Sequence, residues 1–207
     1  MINPKPWPRS RFEHPTLQVA RALLGQRLVR LHSHGQRLAG IITETEAYIG
    51  SDDLACHARS GQTMRNASMW GPAGHAYVFF TYGMHWMLNI VTEAEGFPAA
   101  VLLRGIWPTE GIQIMHANRD APSRRALGDG PAKLCQALEI DRQWDGVDLC
   151  RKDAQLFIES MPAVDEILVT TGPRVGLTQV PEPWKSIPWR FRVDPRKIPA
   201  ETGGFPG

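Results

Sequence analysis

The feature that most constrains the fold is a tight turn between two segments that are rich in β-forming residues. Residues 75–80 include the run Tyr-Val-Phe-Phe, and residues 84–91 resume the pattern after Tyr82 and Gly83. Gly83 supplies the positive φ angle that such a turn needs, so the two segments are predicted to pair as an antiparallel hairpin. Tyr82 lies at the apex, where a large ring finds no core to enter, and the hairpin is therefore expected to protrude.

The other predicted elements extend this hairpin into a sheet. Patterns rich in β-forming residues predict strands at Arg27–Leu31, at Arg37–Ile49, and at residues 99–104, 164–170 and 189–193. Helices are predicted from residue 16, from Pro108 to about residue 119, and from Pro131, because proline is tolerated in the first turn of a helix. Strands outnumber helices and hairpins dominate. The expected fold class is therefore α+β, with a curved, mostly antiparallel sheet flanked by helices.

Length and composition predict one compact domain. At roughly 150 residues per domain, a chain of 207 residues favours a single domain over residues 1–207, with its core at about 16–193 and a tail rich in proline and glycine. No apolar run approaches the ~18 residues that a membrane span needs, and residues 1–10 hold no apolar stretch of a secretory signal. We therefore expect a soluble, cytoplasmic protein that contacts no membrane.

Cysteine usage argues against a disulfide framework and against a structural zinc site. The three cysteines, Cys56, Cys135 and Cys150, are an odd number and include no CxxC pair. They are expected to be inert thiols in a reducing compartment.

The net charge of +2 hides an uneven distribution of charge along the chain. Residues 1–40 hold seven basic side chains and one acid, residues 41–56 hold four acids and no base, and residues 57–92 hold two arginines and no carboxylate. A small acidic cluster between basic or acid-free flanks can hold a polyanion while a few acids remain free for chemistry. The alternative is that the basic residues are simply solvated.

The acidic cluster lies in the predicted strand Arg37–Ile49. Alternate side chains of a strand share a face, so Glu44, Glu46 and Tyr48 are expected to point together, with Glu46 and Tyr48 roughly 6.5–7 Å apart. Partial burial would raise the pKa of such a carboxylate toward the range of a general base that activates water beside a stacked planar group. The alternative is that these acids are solvated on the polar side of the sheet.

Aromatic side chains cluster in the same part of the chain. Tyr77 and Phe79 share a face of the predicted hairpin, either as ordinary core or as a platform for base stacking. Tyr82 could act as a wedge that fills the space of a displaced base in a duplex. Asn89 would be either a structural residue or a reader of a ligand's edge. The histidines match no HxxxH or HExxH spacing, and no metal site is expected.

Taken in order, several segments resemble the alkyladenine (3-methyladenine) DNA glycosylase family. The most specific combination is ETEAY at residues 44–48 with YGMHWMLN at residues 82–89. The remaining segments lie in consistent order over about residues 16–193: ARALLGQRLV at 20–29, DLACH at 53–57, TMRN at 63–66, AVLLR at 100–104, GPAKLCQAL at 130–138 and RVG at 174–176.

The resemblance implies an enzyme that flips a damaged purine out of duplex DNA and hydrolyses its N-glycosidic bond without a metal or an organic cofactor. Carried over residue by residue, Glu46 resembles the general base that activates water. Arg104 and the backbone carbonyl of Val175 would help to hold that water.

The resemblance also implies roles in substrate binding. Tyr48 would stack on one side of the base, and His57 and Phe79 on the other. The main chain at Ala55 and His57 would read the edge of the base, and Asn89 would clash with the 2-amino group of undamaged guanine. Contacts to the DNA would come from Tyr82, Met84, Lys133 and Arg65.

Two positions depart from the family pattern. Phe79 stands where family members often have tyrosine, so the stacking face is kept and a hydroxyl is lost. Met64 replaces a proline that is common between the threonine and arginine of its loop.

The alternatives differ from this enzyme in their chemistry. A metal-dependent nuclease or hydrolase would use the acids of residues 44–53 with the histidines, and a non-catalytic protein would bind DNA lesions without cleaving them. The five lysines lie outside the acidic and aromatic segment, so a Schiff-base lyase step is not expected and the enzyme would be monofunctional. The expected partner is duplex DNA that contains damaged purines, bound by a monomer.

Overall fold

The computed structural model describes residues 5–32 and 35–198. These residues form three short α-helices and eight β-strands, and every strand pair is antiparallel. The expected α+β fold class is therefore confirmed. The strands are β1 Arg27–Leu31, β2 Arg37–Ile49, β3 Ala76–Thr81, β4 His85–Val91, β5 Ala99–Glu110, β6 Leu156–Glu159, β7 Val169–Gly172 and β8 Arg190–Val193, and the helices are α1 Thr16–Ala22, α2 Ile112–Asn118 and α3 Pro131–Ala137.

Strand β2 lies at the centre of the sheet and carries the acidic cluster. The strand order is β3-β4-β5-β2-β1-β6, and β8 pairs with β2 where β1 no longer does, at residues 44–46. The acids of β2 are thus flanked by β5 on one side and by β8 on the other. The hairpin of β3 and β4 pairs in register from Ala76↔Ile90 to Thr81↔His85, which confirms the predicted hairpin.

The two faces of β2 have different environments. Thr45 is fully buried and its hydroxyl donates to the carbonyl of Ala20 in α1, so this face packs into the main core with the helices. Glu46 and Tyr48 point the other way, which confirms the predicted alternation of faces. On their side lies a second, smaller apolar cluster of Cys56, Ala58, Met69, Tyr77, Val91 and Ala100, with Tyr48, Trp70 and Phe79 packed against it.

The helix predicted from Pro108 is wrong at its start. Strand β5 continues to Glu110, with Pro108 opposite Gly40 of β2, and α2 begins only at Ile112. Pro108 lies beside a register shift in β2, where a residue without an N–H group is tolerated, and its carbonyl accepts from Nε of Arg124 at 2.8 Å. Pairing with β2 has overridden the local helix-start signal.

The strand predicted at 164–170 is also misplaced. A 3-10 turn at Glu166–Leu168, capped by the Asp165 side chain, occupies most of that range, and the strand is Val169–Gly172. Strand β6 was not predicted, because its four residues become a strand only by pairing with β1. Of the tail, Pro195–Lys197 form a 3-10 turn, and the residues from 199 on lie outside the described part.

The cysteines are free, as expected. Burial raises the pKa of the Cys56 thiol to about 11 and that of Cys135 to about 12, so both stay protonated and inert at neutral pH. None of the helices in the described ranges has the length and apolar character to cross a bilayer.

Candidate active site

A cavity of about 360 Å³ opens between β2, the hairpin of β3 and β4, and the loops at residues 55–57 and 175–177. Its volume lies in the range of small-ligand pockets, roughly 300–1,000 Å³. Apart from Glu46, every catalytic and base-binding residue that the resemblance implied contributes to its lining: Tyr48, Ala55, His57, Phe79, Asn89, Arg104 and Val175.

Glu46 lies directly behind this lining and is fully buried. Its Oε1 accepts from the backbone N–H of Val175 at 2.7 Å, and its Oε2 accepts from the Tyr48 hydroxyl at 2.9 Å. Arg104 lies 3.3 Å from Oε1 through Nε and reaches Oε2 only at 3.5 Å through Nη1. The carboxylate therefore touches three lining residues of the cavity, and its bond from Nη1 is the longest of the set.

The protonation of Glu46 is set by opposing effects. Burial raises the pKa of its carboxyl above the ordinary value, and this effect outweighs the Arg104 charge and the hydrogen bonds from Val175 and Tyr48, which lower it. A carboxylate with a raised pKa is a better proton acceptor than an exposed one at neutral pH, which suits a general base.

Arg104 is shared between two carboxylates. Its Nε lies 3.0 Å from Oε1 of Glu44, and Arg190 approaches the same oxygen at 3.6 Å. Arg104, which lines the cavity, is therefore held by Glu44 and Glu46 together. The charges of Glu44 and Glu46 are thus balanced by the arginine that they share.

One wall of the cavity is the ring of Tyr48. The guanidinium of Arg174 lies over this ring at 4.7 Å from the centroid. Burial and the neighbouring Glu46 charge raise the pKa of the phenol well above its ordinary value, so its hydroxyl stays protonated and donates to Glu46.

The cavity lining also includes His57 and Phe79, whose rings lie 4.4 Å apart at an interplanar angle of 81°. Because the rings are nearly perpendicular, only one of them can present its face to a planar ligand, and the other then meets it with an edge. The Nδ1 of His57 is 2.8 Å from the Tyr77 hydroxyl. Burial, with help from Arg65 and Arg59, lowers the pKa of His57, so the ring is uncharged at neutral pH.

Some polar groups at the edge of the cavity already form hydrogen bonds with other groups of the protein. The Ala55 N–H donates to the Asp53 side chain at 3.0 Å, which leaves the carbonyl as the group of Ala55 that can read a ligand. Asn89 is opposite Tyr77 in the hairpin, and its Nδ2 donates to the Tyr77 carbonyl at 3.0 Å. Asn89 therefore holds the hairpin and also lines the cavity. A structural role and a role in reading a ligand's edge, both left open by the sequence, are compatible at this position.

The tip of the hairpin projects into solvent beside the cavity. Tyr82 is 81% exposed and Met84 is 65% exposed. Tyr82 has a φ of 53° and Gly83 one of 67°, the signs that a type I′ turn requires at its two central residues. Arg65 is exposed and is tied to this hairpin through a bond from Nη2 to the Phe80 carbonyl at 2.9 Å.

Lys133 lies in the first turn of α3, as predicted, but its charge is already partnered. Its Nζ lies 2.7 Å from the Asp129 carboxylate, and both side chains are largely exposed. Pro131, which begins the same helix, lines the cavity. Lys133 therefore lies two residues from the cavity lining, in an ion pair of a kind that contributes little to stability.

The acids proposed for a metal-dependent alternative do not converge. Glu44 and Glu46 contact Arg104, and Asp53 pairs with Arg174. Over residues 5–32 and 35–198, no three His, Cys, Asp or Glu side chains come together as a metal-binding group. The arrangement gives no support to a metal-dependent nuclease.

Three residues that shape the site were not assigned by sequence analysis. Asp53 and Arg174 form a buried ion pair behind Tyr48. The buried Asn66 side chain donates to the carbonyls of His57 and Gly61, each at 3.0 Å, and so fixes the loop that carries His57. All three lie in the segments that carry the family resemblance, which is the only signal that could have singled them out.

Comparisons with known proteins found a matching family model and several similar sequences. The sequence model of a family described as methylpurine-DNA glycosylase (MPG) matches residues 10–197. A relative from Methanocella arvoryzae is 48% identical over 185 residues, which cover 89% of this chain and 90% of its own. Relatives from Chlorobaculum parvum and Carboxydothermus hydrogenoformans are 45% and 43% identical, covering 86% and 92% of this chain and 83% and 96% of their own. Each carries the provisional name 3-methyladenine DNA glycosylase. The chain therefore belongs to the methylpurine-DNA glycosylase family.

Proposed function

We propose that this protein is a 3-methyladenine DNA glycosylase, which hydrolyses the N-glycosidic bond of a damaged purine that has been flipped out of duplex DNA. The observation that carries the proposal is the position of Glu46, a buried carboxylate with a raised pKa directly behind a cavity walled by aromatic rings. Family membership and the names of the relatives support the substrate class.

Capture of the base would begin at the hairpin tip. Extrusion of a nucleotide costs a few kcal/mol and is cheapest for a base that pairs poorly, which favours damaged bases. The exposed ring of Tyr82, with Met84 beside it, would occupy the gap left in the duplex. Arg65 and Lys133 would contact phosphates, and Lys133 would exchange its partner Asp129 for one of them.

In the cavity, the base would stack on Tyr48 and would contact His57 and Phe79 on its other side. An uncharged His57 avoids repulsion of a cationic base such as 3-methyladenine. The amide of Asn89 would oppose the 2-amino group of guanine, and the carbonyl of Ala55 would accept from the edge of the purine. Loss of a hydroxyl at Phe79 leaves a purely apolar face there.

Hydrolysis would use a water held between Glu46 and the anomeric carbon. This water would replace the weakest bond to the carboxylate, which is the 3.5 Å contact from Nη1 of Arg104, while the carbonyl of Val175 accepts its second hydrogen. Glu46 takes one proton, the water oxygen bonds to C1′, and the electron pair of the C1′–N bond leaves with the base. A cationic base leaves as a neutral molecule. General-base catalysis of this kind contributes roughly 10²–10⁴ in rate.

The same proposal makes the enzyme monofunctional. None of the lysines is among the residues that line the cavity, and a lyase step needs an amine there. We further propose that the protein acts as a monomeric, single-domain enzyme in the cytoplasm. Size-exclusion chromatography with light scattering tests the monomer, because a dimer would elute at twice the mass of 23.1 kDa.

The test is base release from duplexes that carry 3-methyladenine, ethenoadenine, hypoxanthine or 7-methylguanine in parallel. The wild-type protein is expected to release free 3-methyladenine, and Glu46→Gln is expected to lower the rate by roughly 10²–10⁴ while duplex binding is retained. The control is Glu13→Gln, at an exposed glutamate outside the cavity lining. Near-full activity of Glu46→Gln would reject Glu46 as the base.

The same assay separates the alternatives. Tight binding of lesion duplexes without release of any base would identify a non-catalytic lesion-binding protein. Activity that disappears with a chelator and returns with a divalent cation would identify a metal-dependent enzyme.

A further inference from the structure

Arg174 is a charged side chain that is completely enclosed and binds three groups of the protein. Its Nη1 and Nη2 make a two-pronged pair with Asp53 at 2.5 and 2.8 Å, and the side chains of both residues are 0% exposed. Nη1 also donates to the Ala47 carbonyl at 2.9 Å, and Nη2 to the Trp184 carbonyl at 3.3 Å. Enclosing a charge in this way is costly, so the pair is not explained by stability alone.

The guanidinium lies over two aromatic rings. Its carbon lies 4.7 Å from the centroid of Tyr48 and 5.1 Å from that of Trp189. Tyr48 lines the cavity, so Arg174 lies behind the ring on which the base is proposed to stack. Its buried Nε has no partner in the described part of the chain, in keeping with a flat group held by ring faces.

The ion pair also reaches two further parts of the site. Val175 follows Arg174 in the chain and donates its N–H to Glu46 at 2.7 Å. Asp53 accepts from the N–H groups of Ile49 and Ala55 at 3.3 and 3.0 Å, and so fixes the turn that carries Ala55 into the lining. One ion pair thus connects the stacking ring, the residue that binds the carboxylate, and the edge of the cavity.

We propose that Arg174, locked by Asp53, is a positioning residue of the glycosylase reaction, which sets the Tyr48 ring and the Val175 N–H relative to Glu46. This inference rests on the proposed function and adds a role that acts through other residues, since Arg174 lies behind the cavity and does not line it. Lysine carries the same charge but lacks the planar, two-pronged group. It therefore cannot bind the Asp53 carboxylate and the carbonyls of Ala47 and Trp184 at the same time.

The test compares Arg174→Lys with the double variant Asp53→Leu/Arg174→Met. The double variant removes both charges at similar volume, so no buried charge is stranded and the fold is expected to survive. For each variant, the thermal midpoint, the affinity for an undamaged duplex and the single-turnover rate of 3-methyladenine release are measured. The control is Arg9→Lys, because Arg9 also pairs with an aspartate, Asp148 at 2.6 Å, outside the cavity lining.

We expect both test variants to bind undamaged duplex within about twofold of the wild type and to release the base at least tenfold more slowly. A second readout is the acid limb of the pH–rate profile. The Val175 N–H lowers the pKa of Glu46, so a displaced Val175 should move this limb to higher pH. A residue that is merely structural would leave the limb unchanged in a folded variant.

A folded double variant with wild-type rate and an unshifted acid limb would overturn the role of Arg174 and leave the proposed function intact. If Arg174→Lys retains the wild-type rate, the positive charge at residue 174 is sufficient and its two-pronged geometry is not needed. The positioning role is then likewise rejected. A wild-type protein that releases no base from any of the duplexes would overturn the proposed function and this inference with it.

Discussion

We predict that Tyr82 lowers the stability of the hairpin and contributes to base release, and the variant Tyr82→Asn tests both effects. The residue has a φ of 53° at the tip of the hairpin, and Gly83 follows it at 67°. Asn-Gly is the pair that a turn of this kind prefers, because asparagine tolerates positive φ far better than an aromatic residue. The substitution therefore relieves the backbone and removes the proposed wedge in one step.

The expected change in stability follows from two opposing amounts. Holding a residue other than glycine in the left-handed region costs roughly 1–2 kcal/mol, most of which asparagine recovers. Tyr82 is 81% exposed, so about a fifth of an area of roughly 200 Å² is buried, and losing ~40 Å² costs ~1 kcal/mol at about 25 cal/mol/Å². The net effect is a gain of about 0.5 kcal/mol, which raises the thermal midpoint by about 1–2 °C for a chain of this size.

The assay pairs thermal unfolding with single-turnover release of 3-methyladenine. Tyr82→Asn is expected to melt no lower than the wild type and to release a base-paired lesion at least tenfold more slowly. On single-stranded DNA, where no stack has to be broken, the loss should be much smaller. Met84→Asn is the control, because Met84 is also exposed at 65% but has no positive φ, and it should gain no stability.

Two outcomes would refute this reasoning. A fall in the midpoint of more than about 2 °C would show that the Tyr82 ring contributes packing that its exposure does not reveal. An unchanged release rate on duplex DNA would remove the wedge from the mechanism.

Two more predictions concern charge. Because burial raises the pKa of Glu46, base release should fall on the acid side with a midpoint above the ordinary value of about 4.3, and Glu46→Gln should be more stable than the wild type at pH 8 but not at pH 4. The sign follows because the pKa of Glu46 is higher in the folded than in the unfolded protein. Its contribution to the free energy of unfolding is therefore complete below the unfolded pKa and is lost as the pH rises through the folded pKa. Urea denaturation at pH 4 and pH 8 measures this difference. Lys133→Ala should change stability by less than about 0.5 kcal/mol, since its pair with Asp129 is exposed, and should reduce the salt dependence of duplex binding by about one counterion. Arg151→Ala, which breaks another exposed pair, is expected to leave that slope unchanged.

Local sequence patterns predicted the elements whose formation depends mainly on neighbouring residues. The alternation in β2 gave the shared face of Glu46 and Tyr48, and the glycine at position 83 gave the hairpin. The helix start predicted at Pro108 was wrong because the pairing of β5 with Gly40 of β2 outweighs a helix-start signal that acts over only a few residues. Local preference is a weak guide wherever a long strand pair forms.

The parts of the site that were not predicted depend on contacts between distant residues. Asp53 and Arg174 are 121 positions apart, and nothing in the composition of either segment announces that they meet. Their pairing in turn decides where Tyr48 and the Val175 N–H lie. The residues in the aromatic and acidic segments could be named from sequence, but the ion pair that aligns them needed coordinates.

The contact of Val175 with Glu46 joins residues 129 positions apart, so the carboxylate receives its last protein donor from the final quarter of the chain. The Glu46 carboxylate is therefore bound by all of its donors only after the turn at Val175 has been synthesised and has folded against it. A fragment that ends before residue 175 would carry the acid, the rings and the hairpin, yet it would lack the backbone N–H that binds the carboxylate.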